Sequence, residues 1–412
     1  MPVDFNRVPP RVTVPAAPKP SILAWGLLLA VILAASSALS ILLWPKGTPV
    51  NTLRFVACAA GYPVLGWAFL LVLRLLYGHV RRSQALATNR VSDEAEAACH
   101  RLASVPLAIL GQAWCFSSNA EDNAVEGVQG NTLKLVTRNS AHAPDKAVRA
   151  RWIELPASPF FPGNALAESA RHRTVLGWIL NELIGKLEPQ LKALRTSTRL
   201  KVQMHGQTRL KIDAVEALLR EQLTKTVPFL RLEISTSEAV PPLFATDAWV
   251  DNRQRGGVCL FIAVQLRNAI SELISDGLAE AGAALLVGPV RFAEGAVQST
   301  VRLHRPAQGS FDNASVGLDL AVRWGRTTFA RASPAWSHGV ADEQMEALRP
   351  QREATDRLRV CALEHSVGNC SGAGSWLALA FAAECAHRSE KEQLVIAGEG
   401  DGFTTLVCRT KA

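Results

Sequence analysis

The stretch that decides the fold runs from Val367 to Arg409 and reads VGNCSGAGSWLALAFAAECAHRSEKEQLVIAGEGDGFTTLVCR. A turn of small residues opens an apolar segment of helical length, and a charged loop follows it. Two short apolar runs come next, separated by Gly400-Asp401-Gly402, which predicts two strands joined by a tight turn. The stretch therefore predicts an apolar helix followed by a strand pair, as expected in an α/β domain.

A similar succession of elements occurs earlier in the chain, as a weak internal repeat. It consists of a helix pattern and three apolar runs, at residues 214–224, 229–235, 258–266 and 281–288. We match the helix pattern at 214–224 with the apolar helix at 376–386. The repeat predicts a duplicated domain whose halves cover residues 105–298 and 299–412, because about 310 residues are many for a single core.

This arrangement resembles the ketoacyl synthases of the thiolase superfamily. In that family an Asn stands in a small-residue turn before a helix, and two closing strands flank a Gly-rich turn; Asn369 falls on that Asn. Residues 105–114, VPLAILGQAW, are similar to the family's opening strand and Gly turn. The resemblance implies an α/β domain of duplicated thiolase-like halves and allows the chain to be checked for catalytic residues.

The family's enzymes use a Cys nucleophile at a helix N-terminus, assisted by a His and by an Asn or a second His. In this chain Asn369 matches the Asn, and His338 in WSHG has the spacing of the His. Each residue also has a structural interpretation. Asn369 is equally well explained as the N-cap of the helix that follows, and for His338 we favour a histidine in a surface loop.

The expected nucleophile is missing. The Cys should lie near residues 235–240, where the sequence reads STSEAV, and no Cys occurs between Cys115 and Cys259. Ser237 is the remnant candidate there, but a hydroxyl without a neighbouring base is a poor nucleophile. Cys370, next to Asn369, lies in the wrong half, and we expect it to be a small buried residue at a helix start.

The first residues predict a membrane anchor. Ile22–Trp44 carries no charge, and Leu53–Tyr77 is a second apolar run. A bilayer core of about 30 Å needs roughly 20 apolar helical residues, so we expect a two-helix transmembrane hairpin at 22–77. A disordered, Pro-rich tail at 1–21 precedes it, and a juxtamembrane linker helix at 78–104 follows.

The positions of the charged residues predict the membrane topology and the kinds of partner. Cations flank the outer ends of the two spans, at Arg7, Arg11, Lys19, Arg81, Arg82 and Arg90. Such flanks favour the cytoplasmic side, so we expect a two-pass protein of the bacterial inner membrane with a cytoplasmic C-terminal domain. The net charge of +8 is then partly explained by contact with membrane lipid, and we expect no nucleic-acid partner.

The eight cysteines show no C-x-x-C spacing, and we expect no metal and no cofactor.

Two classes of function follow. The first is a membrane-anchored, non-catalytic binding or adaptor protein with a protein partner and, as is usual for thiolase-like domains, a homodimeric state. In its general layout the chain also resembles the membrane-associated adaptors of type VI secretion lipase effectors, so the partner would be a secreted effector. The alternative is a membrane-associated acyltransferase or ketoacyl synthase-like condensing enzyme with a displaced nucleophile. The missing Cys favours the first class.

Overall fold

A computed structural model describes residues 3–47, 49–50, 52–252, 257–293, 301–332, 334–348 and 359–410. The chain divides into two compact units, Asp4–His100 and the part from Arg101 onward. The first unit is a helical hairpin, and the second is an α/β domain.

The hairpin consists of helix α1, Ile22–Leu43, and a continuous helix of 51 residues, Leu53–Ala103. The long helix is formed by α2 (Leu53–Val56), a π-helical turn (Ala57–Gly61) and α3 (Tyr62–Ala103). The indole nitrogen of Trp67 donates to the Trp25 carbonyl at 3.0 Å, which ties the two helices together. Both helices are long and apolar enough to cross a membrane, so the predicted pair of apolar helices is confirmed.

The Pro-rich segment before α1 differs from the predicted disorder. It lies along α3, where Asn89 exchanges two hydrogen bonds with the backbone of Val12, at 2.8 and 2.9 Å. Ser92 also donates to the Pro9 carbonyl at 2.6 Å. Proline lacks an N–H donor but keeps its carbonyl, so polar side chains of a neighbouring helix can fix such a segment in an extended form.

The first half of the domain extends from β1 to α8. Its strands are β1 Leu107–Cys115, β2 Arg138–Asn139, β3 Ala147–Val148, β4 Arg199–Gln207, β5 Arg231–Ser237, β6 Val258–Gln265 and β7 Ala281–Gly288. Its helices are α4 Val125–Gln129, α5 Ala165–Lys192, α6 Ile212–Thr226, α7 Thr246–Asp251 and α8 Val290–Ala293.

The second half extends from β8 to β13. Its strands are β8 Val301–Leu303, β9 Ala307–Ser310, β10 Ala335–His338, β11 Val360–Ala362, β12 Gln393–Glu399 and β13 Gly402–Thr410. Its helices are α9 Ala314–Trp324, α10 Asp342–Leu348, α11 Leu363–Ser366 and α12 Gly372–Ser389.

The order and direction of the strands in the sheet show the duplication. Ten strands follow the order β11-β10-β12-β13-β8-β1-β7-β6-β4-β5, and β9 pairs with β13. Each half repeats one pattern. In the first half β4, β5 and β6 are parallel and β7 is antiparallel to β6. In the second half β10, β11 and β12 are parallel and β13 is antiparallel to β12. The first strands, β1 and β8, pair antiparallel where the halves meet. The predicted α/β class with duplicated halves is therefore confirmed.

The predicted match between helices of the two halves is wrong. Residues 214–224 belong to α6, which lies between β4 and β5, the strands that correspond to β10 and β11. Helix α12 lies between β11 and β12, which correspond to β5 and β6, so its counterpart is α7. Helix α12 has 18 residues and α7 has only 6. The two halves therefore have the same arrangement of strands, but their central helices differ in length.

Helix α12 forms the middle of the core. Its side chains are buried almost throughout, and they share one apolar cluster with strands of both halves. Helices α5 and α6 cover the outer face of the first half, and α9 covers that of the second. A helix that is apolar on all sides is expected in such an enclosed layer.

Candidate functional site

The N-terminus of α12 is the place where the structure brings the predicted site residues together. Asn369 lies three residues before the first residue of the helix, Gly372. An added Cβ on Gly374, in its first turn, would lie 2.1 Å from Nε2 of His338. An added Cβ on Gly372 would lie 2.8 Å from Cβ of Val240, three residues after Ser237. We call this region the α12 site.

Asn369 holds the turn in front of the helix. Its N–H donates to the Gly277 carbonyl at 2.7 Å, and its carbonyl accepts from Ala279 N–H at 2.9 Å. Its side-chain oxygen accepts from the N–H of Ser371 at 2.8 Å. Ser371, with φ at 47°, is the N-cap, and its side chain makes no capping hydrogen bond. The N-cap interpretation of Asn369 is therefore wrong, because the left-handed Ser371 separates it from the helix.

His338 ends strand β10 and is only 3% exposed, so the surface-loop interpretation is wrong. Burial lowers the pKa of His338, and the carboxylate of Glu364, 3.7 Å from Nε2, only partly opposes this. Nε2 makes no hydrogen bond to any residue that the structure describes. The imidazole lies against the backbone of Gly374 and is almost fully buried. The short WSHG motif gives no signal of this burial.

Among the residues that the structure describes, none acts as a base that is hydrogen-bonded to Ser237. Ser237 ends β5 beside His205 of β4, its partner in register. His205 donates from Nδ1 to the Ala239 carbonyl at 2.8 Å and stacks on Phe261 with ring centroids 5.2 Å apart. The Ser237 hydroxyl lies 3.5 Å from that same carbonyl. Without a hydrogen bond to a base, a serine hydroxyl is a weak nucleophile.

The chain between β5 and β6 fills the place of the expected nucleophile. We call residues 238–251 the plug segment. Val240 covers Gly372, and the indole N–H of Trp376 donates to the Pro241 carbonyl at 3.0 Å. A short helix, α7, follows Pro241 and Pro242.

The second half of the domain fixes the plug segment with charged side chains. Arg305, which is 5% exposed, forms ion pairs with Asp247 and Asp251 of α7. The carboxylate of Glu399 accepts from Leu243 N–H. Sequence reasoning missed both Arg305 and Glu399, because the contacts join residues far apart in the chain.

Aromatic rings fill the rest of the middle layer near the α12 site. The Phe261 and Trp376 centroids lie 3.9 Å apart, and Trp249 lies 5.3 Å from Phe261 and 5.4 Å from Trp376. The three rings belong to α7, β6 and α12, so they pack the two halves against each other. The space is therefore packed.

The thiols of the domain are poor nucleophiles. Cys370 is fully buried, as predicted, and burial raises its pKa to about 12 although Arg267 acts in the opposite direction. Burial raises the pKa of the other five as well, namely Cys115, Cys259, Cys361, Cys385 and Cys408. The thiolate is the reactive form, so none of these six is activated.

A buried charge network supports the loop that pairs with Asn369. Arg171 binds Glu168 at 3.1 Å and Glu280 at 2.6 Å, and all three are at most 1% exposed. Glu280 also accepts from the N–H of Arg267 at 2.7 Å. Arg267 in turn donates to the Asn369 carbonyl at 3.2 Å. Isolated polar residues in the sequence gave no signal of this network.

Comparison with solved structures identifies the fold. The ishigamide ketosynthase/chain length factor matches with a TM-score of 0.50 over 75% of this chain and 100% of that chain, at 15% identity. The domain has a thiolase-like fold. At this identity the likeness concerns the fold alone. OleA of Xanthomonas campestris also matches, at 10% identity, 74% and 98% coverage and a TM-score of 0.44.

A third match is 3-oxoacyl-[acyl-carrier-protein] synthase III of Aquifex aeolicus, at 12% identity, 74% and 99% coverage and a TM-score of 0.41. No family model matches the sequence, and no curated protein does. Within the described ranges of the thiolase-like domain and the hairpin, no group of three His, Cys, Asp or Glu side chains has a metal-binding arrangement.

Proposed function

We propose that this chain is a membrane-anchored, non-catalytic member of the thiolase-like fold that binds a protein partner. The observation that carries the proposal is the closed α12 site. Val240 fills the position next to Gly372, and Gly374 covers His338. Acyl transfer in this fold needs an accessible, activated nucleophile, and the α12 site offers none.

The context that we propose is delivery of a type VI secretion effector, with the effector as the protein partner. Its support is the layout alone, an apolar helical hairpin followed by a thiolase-like domain. A homodimeric state belongs to the same proposal. Among the described strands β5 ends the sheet with one edge unpaired, and such edges readily pair with another chain.

Mass spectrometry of the full-length protein tests the proposal. After incubation with acyl-CoA or acyl carrier protein, we expect no added acyl mass, because the thiol pKa values are raised and the α12 site is filled. A secreted effector is expected among the proteins that copurify. Denatured protein treated with a thiol reagent serves as the control, since its cysteines become accessible. A stable acyl mass on any Ser or Cys would instead support the acyltransferase or condensing-enzyme alternative.

We further propose that the hairpin spans the bacterial inner membrane twice and leaves the thiolase-like domain in the cytoplasm. The support is the length of the two apolar helices and the cations that flank them. We expect a reporter enzyme that works only in the cytoplasm to be active when fused after Ala412, and one that works only in the periplasm to be inactive there. The matched control places the reporter between the helices, after Lys46, where the opposite result is expected. Periplasmic activity of the Ala412 fusion would contradict this topology.

A further inference from the structure

A pocket beside the junction of β8 and β13 gathers arginine side chains. Its volume is about 310 Å³, and Arg302, His304, Arg326 and Arg409 line it. Among the described residues, no Asp or Glu lines it. We call it the arginine pocket.

Two of the arginines lie side by side on neighbouring strands of the sheet. Arg302 of β8 and Arg409 of β13 are direct partners in the antiparallel register. Their neighbours Leu303 and Cys408 point into the core around α12, so both arginines project from the opposite face. Like charges directly opposite each other in a sheet are destabilising. The pair thus concentrates positive charge on this face of the sheet.

Other arginines of the domain have carboxylate partners among the described residues. Arg305 binds two aspartates, and Arg331 binds Glu392 at 2.9 Å. In the parts of the domain that the structure describes, no carboxylate forms an ion pair with Arg326 or Arg409. No acidic side chain among the described residues therefore neutralises the positive charges of these two arginines.

His304 adds no compensating charge. His304 is 4% exposed, and burial lowers its pKa to about 4. The charge of Arg409 also lowers this pKa, whereas the carbonyls of Trp324 and Ser104 act in the opposite direction. The ring is therefore neutral near pH 7. It leaves the arginines as the charged groups of the pocket.

Arg326 has an unusual backbone conformation for its position. It follows Gly325, the C-cap of α9, and has φ at 51°. Positions just after a helix usually place Gly or Asn in this left-handed region, because other L-residues are disfavoured there. Arg326 therefore has a backbone conformation that is unfavourable for its residue type.

Capping of α9 explains only part of the cluster. Arg409 donates from Nη1 to the carbonyls of Gly325 and Arg326, at 3.3 and 3.1 Å. These bonds account for the position of Arg409. The guanidinium of Arg326, by contrast, makes no hydrogen bond to a residue that the structure describes, so capping does not explain it.

We propose that the arginine pocket binds a phosphate group between the guanidinium groups of Arg326 and Arg409. Guanidinium forks match phosphate oxygens in paired, charge-assisted hydrogen bonds. The volume exceeds that of a phosphate ion, so a phosphate monoester or a lipid phosphate headgroup fits the same chemistry. The site lies apart from the α12 site and does not depend on its function.

Titration calorimetry and thermal unfolding of the full chain in detergent test this proposal, with sodium phosphate compared to sodium chloride at equal ionic strength. Phosphate is expected to bind and to raise the unfolding temperature, whereas chloride is not. The variant Arg326→Gly removes the guanidinium and suits the positive φ. It is expected to unfold no earlier than the wild type and to bind phosphate about tenfold more weakly, as loss of one charge-assisted contact predicts.

Arg323→Gln on α9 is the matched control, because it removes the same charge from an exposed side chain and is expected to bind phosphate as the wild type does. Glycerol phosphate and short-chain phosphatidic acid, each titrated in turn, distinguish a soluble ester from a lipid source. Equal effects of phosphate and chloride would overturn the proposal. Equal weakening by Arg323→Gln and Arg326→Gly would overturn it too, since binding would then reflect net charge alone.

Discussion

Gly374→Ala is expected to destabilise the thiolase-like domain by about 3 kcal/mol, near the upper end for overpacking in a core. The added methyl group would lie 2.1 Å from Nε2 of His338 and 2.3 Å from its Cδ2. The imidazole is 3% exposed and ends a paired strand, so it has little room to move. Helix propensity acts in the opposite direction, because Ala is favoured over Gly in a helix by about 1 kcal/mol. Urea unfolding followed by circular dichroism measures the difference.

Two further variants isolate the cause. Gly177→Ala on α5 has no neighbour within 4 Å of the added Cβ, so helix propensity predicts no loss of stability there. Adding His338→Ala to Gly374→Ala removes the clash, and the pair is expected to show a coupling energy above about 1 kcal/mol. Full additivity of the two substitutions would show that His338 and Gly374 do not contact each other as described.

Arg171→Met is expected to have an effect at least as large, a loss of about 3–5 kcal/mol. Met resembles Arg in length but leaves two carboxylates, Glu168 and Glu280, buried without their shared cation. Burial acts to raise the pKa of Glu168, but hydrogen bonds from His172, Ile270 and Ser271 and the charge of Arg171 lower it to about 2. The carboxylate is thus ionised in the folded protein, and its partner matters. Urea unfolding at pH 7 measures the loss.

The control for this prediction is Arg220→Met. Arg220 pairs with Glu216 at 2.7 Å on the surface of α6, with side chains 56% and 35% exposed. Exposed pairs of this kind contribute about 0.5 kcal/mol or less. If Arg171→Met cost no more than Arg220→Met, the three buried side chains would not form the network described. A reduced loss at low pH is expected for Arg171→Met, because a protonated Glu168 no longer needs a cation.

Sequence reasoning reached the elements that local patterns determine. The helix–strand–turn–strand order at the C-terminus, the two long apolar helices and the burial of Cys370 all follow from hydrophobic runs and turn residues, which act over short distances. The absence of a Cys after β5 could also be read directly. These features gave the fold class.

The geometry of the α12 site could not be read in this way. A helix cap was one of two interpretations of Asn369, because Asn often is one, but the N-cap is Ser371, two residues later. His338 is buried because α12 closes over it, and nothing near His338 in the sequence signals that helix. The contact of Arg305 with α7 bridges 58 residues. Contacts of this kind depend on the tertiary fold, which local patterns do not specify.

The order of strands in the sheet has a consequence for synthesis on the ribosome. Strand β1 is translated early, yet it lies between β7 and β8, which appear much later in the chain. The last described strand, β13, joins β12, β8 and β9. Until it emerges, these three strands have open edges, and open edges promote aggregation. Such a high contact order makes folding slow, so the domain completes its sheet only after residues 402–410 have left the ribosome.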